Sequence, residues 1–355
     1  MRPSWVIRRY RSGDTYQKSR IRVKVDKKYP GRDHKAYKFY DYGSVYHDMN
    51  FTCPVAWEWT DNPLEADALW YNVLNNGAAA GQSMSSMAES AEQPSNPLKV
   101  FMSLESEAYY PYIVGIKESG KIDVTVDYRI WSDAASASGT ADVPAVYLQN
   151  PTNEATKIDF RAPPVLPKRK DVYLAVFISN CESRSGRERY LTELMENMPV
   201  HSYGGCHHNK DEPAFDGSVS KWDRKRMIGQ KYHFVFAAEN SEAPSYVTEK
   251  VYDSFAAGAV PVYFGAPNID KFIPDPSAII AAKDYSPKDL AVLLNRTARD
   301  PKEYAKYFEW KKRPYSKEFR RILCLASRTV QCRLAMHMEG LDMEQDCDEA
   351  IIDTL

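Results

Sequence analysis

At 355 residues the chain is longer than one hydrophobic core usually organises, which argues for two packed domains or one large one and excludes a small stapled module. Lys and Arg number 47 against 48 Asp and Glu, a net charge of −1, so no global positive field exists to hold a nucleic-acid duplex. Hydrophobic residues at 43% suffice to fill cores, and no run approaches the roughly 18 apolar residues that span a bilayer, so the chain reads as soluble and globular with no transmembrane segment.

The first 39 residues read as a basic N-terminal stem or extension. Residues 1–40 carry 13 Lys and Arg against 3 Asp and Glu, and they lack the apolar core of a signal peptide. A first domain is expected over 40–162. Residues 77–97 contain too few large apolar groups to bury, so they read as a surface loop that interrupts this domain without ending it. A strand is predicted over Lys99 to Leu104. Ile122, Val124, Val126, Tyr128 and Ile130 alternate with polar residues, the period of a half-buried strand. A second soft loop is expected at 133–142. The stretch from Arg161 to Lys170 is proline-rich and charged, a composition unsuited to a sheet interior, and 163–170 is read as an interdomain linker.

Beyond it, over 171–320, strands and helices alternate. Val172 to Ile178 is a continuous apolar run of the kind buried on both faces of a parallel sheet, and Leu191, Leu194, Met195 and Met198 then fall on one side of a helix. Phe234–Phe236 and Val260–Phe264 repeat the strand signal, with a helix predicted over Tyr246–Ala257 and stopped by Gly258. Ser286-Pro-Lys-Asp289 and Asp300-Pro-Lys-Glu303 each place a capping residue, a proline and an acid at the start of a helix. The second half is therefore a parallel α/β domain, and such sheets bind ligands beyond the carboxyl ends of their strands, at the turns 179–187 and 239–250. Residues 321–355 are a C-terminal segment with an acidic tail.

The stretch Phe236-Ala-Ala-Glu-Asn-Ser-Glu-Ala-Pro-Ser-Tyr-Val-Thr-Glu-Lys-Val-Tyr252, followed by Gly258-Ala-Val-Pro-Val-Tyr-Phe-Gly265, resembles the donor-site signature of the α-1,3-fucosyltransferase family. Supporting matches are Ile178-Ser-Asn180 with Arg187 and Arg189 downstream, Ser202-Tyr-Gly-Gly-Cys206, and Ala266-Pro-Asn268 with Phe272-Ile-Pro274. The likeness covers 172–312 well and 98–130 loosely. Ser202 to Asp211 is most similar to the plant and invertebrate enzymes that fucosylate the N-glycan core, while Arg189-Tyr-Leu-Thr-Glu-Leu194 also resembles animal relatives proposed to act on protein hydroxyls.

The resemblance implies a GT-B-type α/β fold, two Rossmann-like domains facing a cleft, that moves L-fucose from GDP-β-L-fucose to a GlcNAc hydroxyl of an oligosaccharide or glycoprotein with inversion. A Ser/Thr acceptor, or a GDP-sugar or glycan-binding protein that has lost turnover, is the alternative. Lys250 and Arg187 would pair with the diphosphate as it gains charge, Glu249 would accept ribose hydroxyl bonds, Asn240 would bridge loop and phosphate, and Tyr246 would donate its phenol. Tyr203 is added to this binding set. The general base is expected in the first domain, in Leu104-Glu-Ser-Glu-Ala-Tyr-Tyr110, where Glu105 is the choice and Glu107 its close rival. Tyr128-Arg129 resembles a family Tyr-Arg pair that reaches the donor, although the following Ile-Trp-Ser-Asp133 departs from the usual acidic pattern.

No metal or other cofactor is expected to be required, a divalent ion being at most stimulatory. Cys206, His207 and His208 are adjacent side chains that do not converge easily, and Asp346-Cys347-Asp348 sits in the acidic tail rather than after a strand. The six cysteines form no CxxC, Cys332-Arg-Leu-Ala335 standing where many relatives carry one, and they leave disulfides open. Asn50-Phe51-Thr52 and Asn295-Arg296-Thr297 are glycosylation acceptors usable in a secretory lumen. For a eukaryotic enzyme the expected location is the Golgi lumen, with the anchor outside this chain; otherwise it is the cytoplasm.

Overall fold

Apolar runs buried on both faces are satisfied only within a covered parallel sheet, and two such sheets occur in a computed structural model of the chain, which describes residues 15–18, 21–24, 37–41, 53–60, 62, 65–72, 97–130, 141–148 and 159–344. The chain divides into two compact units, Met1–Lys157 with Leu323–Leu355, and Ile158–Ile322.

In the first unit β1 (Thr15–Lys18) and β2 (Ile21–Lys24) pair antiparallel within the stretch read as a basic stem. Six strands follow: β3 (Tyr37–Asp41), β4 (Trp57–Trp59), β5 (Ala68–Asn72), β6 (Leu98–Ser103), β7 (Val124–Asp127) and β8 (Ala141–Pro144). They form one parallel sheet in the order β4-β3-β5-β6-β7-β8. The short helix α1 (Tyr112–Lys117) connects β6 to β7. The alternation across 122–130 predicts a strand with one solvated face, yet Thr125 and Asp127 are buried as well. Asp127 tolerates this because Lys117 Nζ and Arg129 Nη1 lie 2.6 and 2.7 Å from its Oδ2. The loops expected at 77–97 and 133–142 lie almost wholly outside the described residues, as do the Asn50 triplet and the tail beyond Glu344.

The second unit carries β9 (Leu174–Val176), helix α2 (Arg187–Asn197), β10 (Val200–Ser202), α3 (Lys221–Gly229), β11 (Phe234–Ala238), α4 (Glu249–Ala256), β12 (Val260–Phe264), β13 (Ile280–Ala281), α5 (Pro287–Arg299) and α6 (Pro301–Lys306). Its sheet is parallel throughout, ordered β10-β9-β11-β12-β13. Leu191 and Leu194 of α2 pack with Phe234, Phe236 and Val262 and with Leu290 and Leu294 of α5. The capping residues act as read: Ser286 accepts from Asp289 N at 3.1 Å, and Asp300 from Lys302 N at 2.9 Å. Gly258, at φ +58°, ends α4, and a Cβ there would meet Pro164 Cα at 3.2 Å.

Helices α7 (Lys317–Ala326) and α8 (Val330–Met338) complete the described chain. Of the residues read as a C-terminal segment, 321–355, Leu334, Ala335, Met336 and Met338 complete the first unit's core beside Phe39, Trp57 and Trp70. Cys332 is joined to Cys53, 279 residues earlier. Arg333, buried beside it, donates from Nε to Pro144 O at 2.9 Å and from Nη1 to Arg328 O at 2.6 Å. The planar fork of a guanidinium suits it to reach several carbonyls at once.

Candidate active site

The donor-type residues gather where β11 ends. The Glu239 N–H donates to Phe264 O at 2.7 Å, continuing the ladder one residue past the strand and turning a fully buried carboxylate toward the start of α4. Gly265 follows Phe264 at this point, and a Cβ on it would lie 2.7 Å from Glu239 Cγ and 2.6 Å from Tyr263 Oη, so only glycine fits. Thr248 answers the carboxylate: its N–H and Oγ1 lie 2.8 and 2.9 Å from Glu239 Oε1. Lys250 Nζ sits 3.1 Å from Glu239 Oε2, 2.7 Å from Thr248 Oγ1 and 3.3 Å from Glu249 Oε1. Burial pushes the Glu239 carboxyl above its ordinary range while Lys250 opposes the shift. Burial also disfavours the Lys250 ammonium, but Glu239 and Glu249 outweigh it and raise its pKa, so the cation is retained at neutral pH. Glu249 is shifted down, burial being overcome by Lys250 and by Lys225 of α3, and it stays an ionised acceptor.

The helix begins three residues later than the sequence pattern predicts, and the reason is local. Ser245 takes a left-handed φ of +66°, and Asn268 holds it there, accepting from Ser245 N at 2.8 Å and donating to Ser245 Oγ at 3.2 Å. Thr248 is then extended as the N-cap, and Tyr246 is buried ahead of the helix rather than inside it.

The turn after β9 is stitched to the same strand end. Ser185 Oγ donates to Glu239 O at 2.7 Å, and Arg184 N to Asn240 O at 2.7 Å. Arg187, at the start of α2, is buried, with Nη1 donating to Ala238 O at 2.6 Å and Nη2 to Asn180 O at 2.9 Å. Its guanidinium thus braces the ends of β9 and β11, and its Nε also donates to Glu188 Oε1 at 3.1 Å. Cys181 and Cys206 form a disulfide across the turns that follow β9 and β10. Gly204 passes so close that a Cβ would stand 2.0 Å from Ile178 O.

Asn240, Glu249, Lys250 and Arg187 are therefore held around one strand end, and the sequence reading missed Glu239, Thr248, Ser185 and Lys225 beside them. Glu239 stands inside the quoted signature, which was the available signal. Tyr203 goes elsewhere: its hydroxyl lies 2.6 Å from that of Tyr232, which is 2.6 Å from His201 Nδ1, and its ring stacks on Phe177 at 5.4 Å.

In the first unit Glu105 lies two residues past the end of β6. Ser103 Oγ donates to Glu105 O at 3.1 Å and accepts from Glu105 N at 3.3 Å, which fixes the backbone of that residue. Glu107 is placed quite differently. Its Oε1 lies 2.7 Å from Lys117 Nζ and 2.9 Å from Arg129 Nη1, and Oε2 pairs with Arg129 Nη2. Burial would raise its pKa, but the bonds from Arg129 and Lys117 prevail and lower it, which disfavours proton uptake. Arg129, whose role the sequence leaves open, is engaged by Glu107 and Asp127. Among the described residues no cluster of three or more His, Cys, Asp or Glu is arranged to hold a metal ion, and no helix is long and apolar enough to cross a membrane.

The family model described as glycosyltransferase family 10 (fucosyltransferase), C-terminal, matches residues 167–349. GDP-fucose protein O-fucosyltransferase 3 of Xenopus tropicalis is 40% identical over 141 residues, 39% of this chain and 30% of that protein. A fucosyltransferase-like protein of Arabidopsis thaliana is 31% identical over 288 residues, 79% of this chain and 51% of that protein. The chain thus spans about half or less of the length of these relatives. A crystal structure of an α1,3-fucosyltransferase superposes with a TM-score of 0.53 at 16% identity, covering 83% of this chain and 84% of that one, which shows the GT-B fold. The chain belongs to glycosyltransferase family 10, the fucosyltransferases.

Proposed function

We propose that the protein transfers L-fucose from GDP-β-L-fucose to a GlcNAc hydroxyl of a glycan, with inversion and an α-1,3 linkage, the N-glycan core being the favoured acceptor. The observation that carries the reading is Lys250, kept protonated by Glu239 and Glu249 at the first turn of α4. As the bond from the sugar carbon to the diphosphate breaks, negative charge grows on the leaving oxygen, and a fixed ammonium with a helix N-terminus stabilises that charge more than it stabilises the bound donor. This is metal-independent chemistry, the cation being Lys250. Support for GDP as the nucleotide comes from family membership and from a solved α1,3-fucosyltransferase with GDP, similar in fold at a TM-score of 0.52. Glu249 accepts ribose hydroxyl bonds, and Asn240 and Tyr246 line the donor with it.

Glu105 is the general base of this reading. The acceptor oxygen attacks the sugar carbon opposite the diphosphate, its proton passes to the Glu105 carboxylate, and GDP leaves. Glu107 is unsuited, since both its oxygens already face cations. The disulfides Cys53–Cys332 and Cys181–Cys206 support action in an oxidising compartment, which for a eukaryotic enzyme is the Golgi lumen.

A second reading, transfer to Ser or Thr of a folded protein, is favoured by the 40% and 42% identities to GDP-fucose protein O-fucosyltransferase 3 of Xenopus tropicalis and Danio rerio. The test of the donor is thermal stabilisation by GDP, UDP and ADP. A ligand that binds only the native state raises its melting temperature by mass action, so GDP should give the largest shift, and equal shifts for all three would remove the assignment. Presenting a GlcNAc-terminated N-glycan beside a deglycosylated folded protein then separates the two acceptors.

A further inference from the structure

Behind Glu105 the chain makes a tight turn whose every bend is fixed. Ser106 Oγ accepts from Ala108 N at 3.1 Å, and Ser106 O accepts from Tyr109 N and Tyr110 N at 3.0 and 2.9 Å. Glu107 is locked to Lys117 and Arg129, and Lys117 is itself locked to buried Asp127. Ile113 is fully buried, and Tyr110 packs on the same cluster as Leu69 and Phe101. Upon this rigid base three tyrosines stand edge to face, with centroids 4.7 Å apart for Tyr109 and Tyr110 and 5.8 Å for Tyr110 and Tyr112. Tyr112 is 46% exposed, so its ring contributes little to the core that holds its backbone in place.

A pyranose ring has an apolar face of C–H groups and a rim of hydroxyls. A tyrosine offers the matching pair, a π face and a phenol that both donates and accepts. Preorganisation matters here: an exposed aromatic ledge on an immobile turn binds a ring with little loss of side-chain freedom. We propose that Tyr110 and Tyr112, backed by Tyr109, form the platform on which a GlcNAc ring of the acceptor stacks, presenting its hydroxyl to Glu105. The proposal rests on the reading of Glu105 as the base and adds the residues that select a saccharide. Burial and then the neighbouring Glu105 carboxylate raise the pKa values of both the Tyr110 and the Tyr112 phenols, which keeps both as hydrogen-bond donors.

The test uses the full chain and N,N′-diacetylchitobiose as probe, followed by saturation-transfer NMR with irradiation of the aromatic protons, and by acceptor KM where transfer is seen. Saturation should reach the C–H protons of one sugar face. Tyr112→Ala should weaken chitobiose binding about three- to tenfold, the worth of one aromatic contact, with the melting temperature and the GDP-induced shift unchanged. Tyr112→Phe should recover most of that loss, because it restores the ring. Wild-type chitobiose affinity in folded Tyr112→Ala overturns the platform, as does absence of saccharide binding by a protein that fucosylates Ser or Thr. Chitobiose binding that depends on Tyr112, in a protein that transfers no fucose, would uphold the platform and sink the function proposed above instead. The two failures are therefore distinguishable.

Discussion

Substituting Glu107 and Glu105 one at a time by glutamine separates a carboxylate that holds the fold from one that moves a proton. Glu107→Gln removes one of two negative charges from a cluster that contains two positive ones, leaving Lys117 and Arg129 to share Asp127. Breaking a buried ion pair by removing one partner costs about 3–5 kcal/mol. The Glu107 side chain is 19% exposed and Arg129 17%, so water screens part of the loss, and glutamine still accepts a hydrogen bond. A cost of about 2–3 kcal/mol is the reasonable figure, which for units of this size lowers the melting temperature by roughly 5–10 °C. Glu105→Gln should leave melting unchanged while kcat falls by about 10²–10⁴-fold, the usual worth of a general base. Differential scanning fluorimetry and initial rates with GDP-fucose read both effects. The reasoning is refuted if Glu107→Gln melts like the wild type while losing transfer, or if folded Glu105→Gln keeps full activity.

The same ion cluster gives a pH prediction: a carboxyl lowered by its partners contributes stability above its ordinary value near 4.5 and loses it as pH falls through the lowered value, so Glu107→Gln should flatten the acid limb of urea stability. Lys250→Ala should abolish efficient donor use and, because it strands buried Glu239, should also lower stability; the stability loss should shrink in a Glu239→Gln background, as a double-mutant cycle would show. Gly204→Ala should fail to give folded protein, since its Cβ would overlap the Ile178 carbonyl at 2.0 Å, and soluble yield with circular dichroism checks this. Asn295 should remain unmodified when the chain is made in a secretory host: its amide donates to Ala291 O at 2.8 Å within α5 and Thr297 is buried, which peptide mass spectrometry can test.

The legible parts of the molecule were those with a periodic or contiguous signal. Continuous apolar runs placed β6, β9, β11 and β12, and the capping residues Ser286 and Asp300 placed two helix starts. The 236–265 signature located a strand end where Asn240, Glu249 and Lys250 do assemble. What stayed hidden depends on partners far apart in the chain or on backbone atoms, which leave no mark in a sequence. Asp127 reads as the polar side of a half-buried strand until Lys117 and Arg129 meet it. Arg187 is read as a phosphate ligand from the family resemblance, and nothing in its spacing shows that it donates to two main-chain carbonyls. Cys53 and Cys332 are 279 residues apart, so α8 could not be assigned to the first core from its spacing. That two cations, Lys117 and Arg129, converge on Glu107 likewise left no mark in the sequence.

The central claim is best tested by incubating the protein with GDP-fucose and a GlcNAc-terminated N-glycan, without added metal and with EDTA present, and following the glycan by mass spectrometry. The predicted result is a gain of one deoxyhexose with release of GDP, an α-1,3 linkage by NMR, and loss of the product in Lys250→Ala. Absence of fucosylated product on glycan and protein acceptors alike, from folded enzyme that binds GDP, would contradict it.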